Sequence, residues 1–177
     1  MLRLVVKKEE EQKREENRPR MGSPAVIRLQ KDLADLDLPS MCTMEHPNPD
    51  DLKNFRIIVR PDSGFYSNGK FLFTFIVTEE YPHEAPKVKC QNKIYHPNID
   101  PDGNVCLNIL RQEWKPVLTI NAVIHGLIFL FMEPNPEDPL NKDAAAVLRK
   151  DKRQFELNVK RTMKGMPLDG INYDYVL

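Results

Sequence analysis

Neither sign of charge is in excess in this chain. Across 177 residues, 26 Lys and Arg stand against 26 Asp and Glu, a formal net charge of zero. No global field therefore drives binding to nucleic acid or to a membrane surface, and neither partner is expected. Long apolar runs are missing too. The longest, around Ile120 to Met132, is interrupted by Asn121, His125 and Gly126. It has the length of a buried core helix and falls short of a membrane span. Cysteine is sparse: Cys42, Cys90 and Cys106 are odd in number, far apart, and form no C-x-x-C pair. Met1-Leu-Arg-Leu-Val-Val6 is too short for the apolar region of a secretory leader, and Lys7-Lys8 closes it. Reduced thiols in a cytoplasmic or nuclear compartment are the expectation.

What is present suffices for one core: 41% of residues are hydrophobic and 29% charged. Residues 1–23 stand apart. Positions 7–20 are almost wholly charged or polar with both signs mixed, and such a segment cannot bury enough surface to fold alone. A solvated tail accounts for that part. Its tip admits a second reading, a docking peptide, because Met1, Leu2, Leu4, Val5 and Val6 are apolar side chains on a tether.

The folded part opens at Ser23-Pro24, an N-cap followed by proline at the first helical position. Val26, Leu29, Leu33 and Leu36 recur at helical spacing until Pro39. Residues 56–59 read as a strand, 61–64 as a turn, and 71–78 as the clearest half-buried strand, with Phe71, Phe73, Phe75 and Val77 on one face. A further short strand is expected over 87–90, giving an antiparallel meander. Thr119 caps a helix to about Met132, apolar nearly all round and so expected to be central and buried. Three prolines between Glu133 and Pro139 forbid helix or sheet there. Asn141 caps a helix over 142–150, and Phe155, Val159 and Met163 mark a last helix ended by Gly165. Helix, meander, helices, without repeats, is an α+β domain.

Chemistry concentrates around Tyr95-His-Pro-Asn98 and Cys106. Elsewhere Gly64 to Lys70 has the spacing of a phosphate-binding loop, but Phe71 stands where Ser or Thr is required and the loop feeds a strand. It reads as a hairpin turn, and the chain has no visible means of using ATP. His83, His96 and His125 with Cys106 lack zinc-ligand spacing, so no metal is expected; His96 is expected to hold its loop through backbone hydrogen bonds. Three readings of Cys106 remain open from the residues: a small buried hydrophobe, the nucleophile of a thiol hydrolase with His96 as base, or a thioester carrier. The tight Asp102-Gly103-Asn104 turn before it favours the carrier. In that case Asn98 is placed to donate to an oxyanion, and Asp138, between prolines, to orient and deprotonate an incoming amine.

His96-Pro-Asn98, the spacing to Cys106, Trp114-Lys-Pro-Val-Leu-Thr119 and Asn135-Pro-Glu-Asp-Pro-Leu140 resemble the catalytic core of ubiquitin-conjugating enzymes over residues 24–165. The resemblance implies their fold: an N-terminal helix, a four-stranded antiparallel meander, the cysteine, and three further helices. Within the family, Cys106 to Arg111, the residues 113–119 and 133–142, and the apolar-tipped tail are most like the neddylation branch. The implied activity is acceptance of a ubiquitin-like modifier on Cys106 as a thioester and its transfer to substrate lysines, those of cullins in that branch. By the same resemblance Asn98 is the oxyanion or loop-stabilising asparagine and Asp138 the lysine-steering acid. Met1, Leu2, Leu4, Val5, Val6, Arg28 and Lys31 face a heterodimeric activating enzyme, and His83, Lys115, Pro116 and Val117 a RING-type ligase. An acetylated Met1 inserts into a co-ligase. No cofactor is implied, since ATP is used by the activating enzyme, and the protein is expected to be a monomer. The alternatives within this fold are an enzyme for ubiquitin itself and a non-catalytic scaffold. Ala85 departs from the family's usual proline, and residues 166–177 follow no recognised pattern.

Overall fold

The computed structural model describes residues 22–177; the tip residues Met1, Leu2, Leu4, Val5 and Val6 lie outside them. Helix α1 (Pro24–Ala34) starts where the sequence places it, with Ser23 Oγ accepting the Val26 amide. It ends at Ala34, sooner than the Leu36 spacing predicts, with Asp35 as its C-cap.

Four strands follow: β1 (Cys42–Glu45), β2 (Asn54–Val59), β3 (Phe71–Ile76) and β4 (Lys87–Cys90). They pair in sequence order as an antiparallel meander. Cys42 lies opposite Val59, Phe55 opposite Phe75, and Phe73 opposite Cys90. The alternation read in β3 is real: Phe71, Phe73 and Phe75 point inward and Ile76 outward. Each buried ring contributes about 2–3 kcal/mol by leaving water.

A 3-10 turn (Asn108–Leu110) precedes α2 (Ile120–Met132), which Thr119 caps. Near the end of helix α2, Phe131 reaches β3 and stacks on Phe71 with ring centroids 4.4 Å apart. The expectation that α2 is buried all round needs correction. Ile120, Val123, Ile124, Leu127, Leu130 and Phe131 are buried, but His125 faces solvent and Phe129 is 56% exposed. An apolar composition conceals a one-sided helix. Gly126 lies on a third side, where an added Cβ would come 2.8 Å from Leu107, so the absent side chain lets the segment after Cys106 pack close.

Helix α3 (Lys142–Lys150) and α4 (Lys152–Met163) share Asp151, which ends the first and caps the second by accepting the Gln154 amide. Residues 133–141 run between α2 and α3 without regular structure, as their prolines dictate.

Candidate active site

Cys106 is placed by a turn with almost no freedom. Asp100 Oδ1 accepts the amides of Asp102 and Asn104 at 3.0 and 2.9 Å, and its Oδ2 takes the Asn104 side chain at 2.8 Å. Gly103, at φ +82°, sits where an added Cβ would lie 2.0 Å from the Cys90 carbonyl oxygen. Only glycine fits. Its carbonyl receives the Cys90 amide at 2.8 Å, which fastens the turn to the end of β4. Three residues on, the Cys106 amide donates to the Asn98 carbonyl at 2.8 Å.

The segment ending at Asn98 is itself pinned. Tyr66 Oη donates to the Tyr95 carbonyl at 2.9 Å, and the Tyr66 ring stacks on His96 at 4.9 Å. His96 is fully buried, with Nδ1 accepting the Asn98 amide at 2.9 Å and Nε2 bonded to the Leu130 carbonyl at 3.0 Å. These partners assign the Nε2–H tautomer. Burial pushes the imidazole pKa down to about 4, partly offset by the Leu130 carbonyl. A neutral ring with both nitrogens committed has no lone pair to offer a thiol, so the thiol-hydrolase reading falls. The expected backbone-holding role of His96 is what the structure shows.

Asn98 is 2% exposed. Its Nδ2 donates to the Asn135 carbonyl and its Oδ1 accepts the Asn135 amide, both at 2.8 Å. The neighbouring Pro97 carbonyl accepts the Leu140 and Asn141 amides at 2.9 Å. In this arrangement Asn98 clamps the proline-rich loop, committing its Oδ1 and one of its two Nδ2–H donors to Asn135. From the outer side, Arg149 on α3 donates to the Pro136 carbonyl at 2.6 Å. The clamped loop carries exposed Asp138, with Oδ2 3.6 Å from Cys106 Sγ. Cys106, Asn98 and Asp138 are thus brought together.

Cys106 is 7% exposed. Its thiol pKa is raised, chiefly by burial and then by the Asp138 charge and hydrogen bond, against an opposing pull from Arg111. At neutral pH the free sulfur is therefore held mainly as a thiol.

The surface residues singled out in the sequence form a second, connected region. Lys31, His83, Lys115, Pro116 and Val117 are exposed. Arg28 instead works inward: Nε bonds Asp32 Oδ1 at 2.9 Å, and Nη1 and Nη2 donate to the Pro116 and Leu118 carbonyls at 2.7 and 2.8 Å. Buried Asp32 also accepts the Tyr81 hydroxyl, while Trp114 Nε1 donates to the Pro82 carbonyl at 2.8 Å. The 81–86 and 114–118 loops are therefore tied to α1 and to each other.

Sequence reasoning missed Tyr66, Asn135 and Arg149. Tyr66 lay inside a stretch read as a mere hairpin turn, and a tyrosine between glycines was the one available signal of a buried anchor. Among the described residues, no group of three or more His, Cys, Asp or Glu is placed to hold a metal ion.

The family model for "Ubiquitin-conjugating enzyme" matches residues 28–163. The Nedd8-conjugating enzyme UbcE2M of Drosophila melanogaster is 54% identical over 167 residues, covering 93% of this chain and 92% of its own. The NEDD8-conjugating enzyme ubc12 of Schizosaccharomyces pombe is 53% identical over 177 residues, covering 100% and 99%. The solved structure of S. cerevisiae Ubc12 superposes with a TM-score of 0.86 at 45% identity, covering 99% of this chain and 97% of that one. With its cysteine, clamped loop and meander in place, this chain belongs to the ubiquitin-conjugating enzyme family.

Proposed function

We propose that this protein is the conjugating enzyme of a neddylation pathway. It accepts a NEDD8-type modifier from the heterodimeric activating enzyme as a thioester on Cys106 and passes it to lysines of cullins. The juxtaposition of Cys106 Sγ and Asp138 Oδ2 at 3.6 Å, on a loop clamped by Asn98, carries the chemical part of this reading. The names borne by relatives that match 93% and 100% of the chain support the choice of modifier.

In the first step Cys106 gives up its thiol proton and its thiolate attacks the carbonyl of the activating enzyme's thioester. The C–S bond to that enzyme breaks, its cysteine departs as thiolate and takes up a proton, and the exchange is nearly isoenergetic. ATP is spent by that enzyme, and no cofactor acts on this chain. In the second step a lysine amine, its proton taken near Asp138, attacks the Cys106 thioester. An isopeptide bond forms and Cys106 thiolate leaves.

Met1, Leu2, Leu4, Val5 and Val6 dock the tail on the activating enzyme, with Lys31 on the same partner's path and Arg28 fixing the face. His83 and Lys115 to Val117 meet a RING-type ligase, and an acetylated Met1 a co-ligase. The protein works as a monomer in cytoplasm and nucleus.

The test is a charging assay with the neddylation and ubiquitin activating enzymes, each given its modifier and ATP and read on non-reducing gels. A thiol-sensitive adduct with the neddylation pair alone, slowed by deleting residues 1–6 and lost in Cys106→Ala, is expected. Charging by the ubiquitin pair alone overturns the choice of modifier, and no adduct with either overturns the carrier reading.

A further inference from the structure

The last residues of the chain, which match no pattern recognisable in sequence, are folded against the root of the active-site loop. Helix α4 ends at Met163, and residues 168–171 make a tight reversal. Leu168 and Ile171 exchange backbone hydrogen bonds at 3.0 Å, with φ positive at both Asp169 and Gly170. This is the conformation in which an Asp-Gly pair closes a two-residue turn. The returning strap then lies antiparallel to the helix end, with Val176 donating to the Met163 carbonyl at 3.0 Å.

From there the strap makes three connections to other parts of the domain. The Val176 carbonyl accepts the Lys70 amide at 2.7 Å, where β3 begins. Asp174 and Lys93 form a closed pair: the Asp174 amide donates to the Lys93 carbonyl at 3.0 Å, and the Lys93 amide to Asp174 Oδ2 at 2.8 Å. Tyr173, buried, sets its ring edge-on to Tyr95, with centroids 6.1 Å apart. Lys93 and Tyr95 begin the segment that ends at His96-Pro97-Asn98.

We infer that Tyr173 is a positioning residue for conjugation: with Asp174 it sets the path of residues 93–98 and thereby the places of Asn98 and Asp138. The chain of contacts is unbroken. Tyr173 bears on Tyr95, whose carbonyl is also held by Tyr66; His96 holds the Asn98 amide; Asn98 holds Asn135 and, through the Cys106 amide, the cysteine. Charging needs only the thiol, whereas discharge needs the loop that carries Asp138. Loosening the strap thus falls mainly on discharge. The activity arm rests on the conjugating reading above; a second arm does not.

The full-length protein and its Tyr173→Ala, Tyr173→Phe and Asp174→Ala variants are compared in single-turnover charging, in discharge to free lysine, and by amide hydrogen exchange. For Tyr173→Ala, discharge is expected to fall about 10-fold, below the roughly 100-fold that a 1 Å misplacement of reacting groups can cost, with charging within about two-fold. The Asn98 and Cys106 amides exchange faster while those of β2 and β3 keep their protection. Tyr173→Phe restores both readouts, because the edge contact needs only the ring. If Tyr173→Ala does not fold, Asp174→Ala leaves every buried side chain in place and is expected to lose about three-fold in discharge. Equal loss of charging and discharge, or unchanged discharge in Asp174→Ala with unchanged exchange at Asn98 and Cys106, overturns the inference. Should the unmodified protein fail to charge, the conjugating reading fails, and the exchange arm alone decides whether the strap sets the loop.

Discussion

At the residue scale, the environment of Cys106 sets two demands against each other. Burial and the Asp138 carboxylate both favour the protonated thiol, and Arg111 opposes them. The same carboxylate is proposed to take a proton from the attacking lysine. Asp138→Asn therefore moves two rates in opposite directions. With the charge gone, the thiol pKa falls, and alkylation of Cys106 by iodoacetamide at pH 7.5 rises by about three-fold, since each pKa unit changes the thiolate fraction up to ten-fold. Discharge to lysine meanwhile drops by about 100-fold, the low end of what a lost general base costs. Slower or unchanged alkylation would show that Asp138 does not face the sulfur in solution. Cys106 and Asp138 were legible in the sequence because each lies in a rigid local context, a Gly turn and a proline loop. The 3.6 Å between them was not, because 32 residues separate them.

At the scale of elements, what mattered locally could be read and what depended on pairing could not. Ser23, Thr119 and Asn141 cap helices by contacts within three residues, so the chain announces them. Strand β1 is only Cys-Thr-Met-Glu, and it becomes a strand through pairing with β2 across a loop; its existence was implied by family resemblance alone. The Asp32–Tyr81 contact spans 49 residues and left no local trace either. Residues 133–141 behave as one element in the same sense, made by its clamps. Asn98→Ala removes two hydrogen bonds of 2.8 Å and orphans both backbone groups of Asn135. The cost to stability is about 2–4 kcal/mol. Charging is expected to survive within a few-fold and discharge to fall about 100-fold, whether the clamp acts through Asp138 or Asn98 itself turns to the oxyanion. Single-turnover charging and discharge, measured beside urea unfolding, separate this from a folding defect. Equal decline in both steps would reduce Asn98 to a structural residue.

For the molecule as a whole, the most buried titratable group at the site links catalysis to global stability. His96 sits between the sheet-side Tyr66 ring and α2, stacked on the first and edge-on to Phe131 at 5.5 Å. Its ordinary pKa of 6.5 is pushed down to about 4 by burial. Between those values the unfolded chain binds a proton that the native chain refuses, so the folded state loses stability as pH falls through this window. The full depression corresponds to about 3 kcal/mol at 1.36 kcal/mol per pKa unit, a large share of a domain's stability. Above pH 6.5 the imidazole is neutral in both states and contributes no slope. Urea midpoints should therefore be flat near His96's contribution from pH 8 to 7 and descend from pH 6.5 toward 4. His96→Asn should start lower at pH 7, since it forfeits the ring packing, and descend less steeply. An NMR titration of the imidazole checks the cause directly: a ring that protonates near 6.5 in the folded protein would remove this explanation. The same proton would break the Nδ1 bond that holds the Asn98 amide. Acid should then impair lysine discharge reversibly before the sheet unfolds, because the loop and the core share this one histidine.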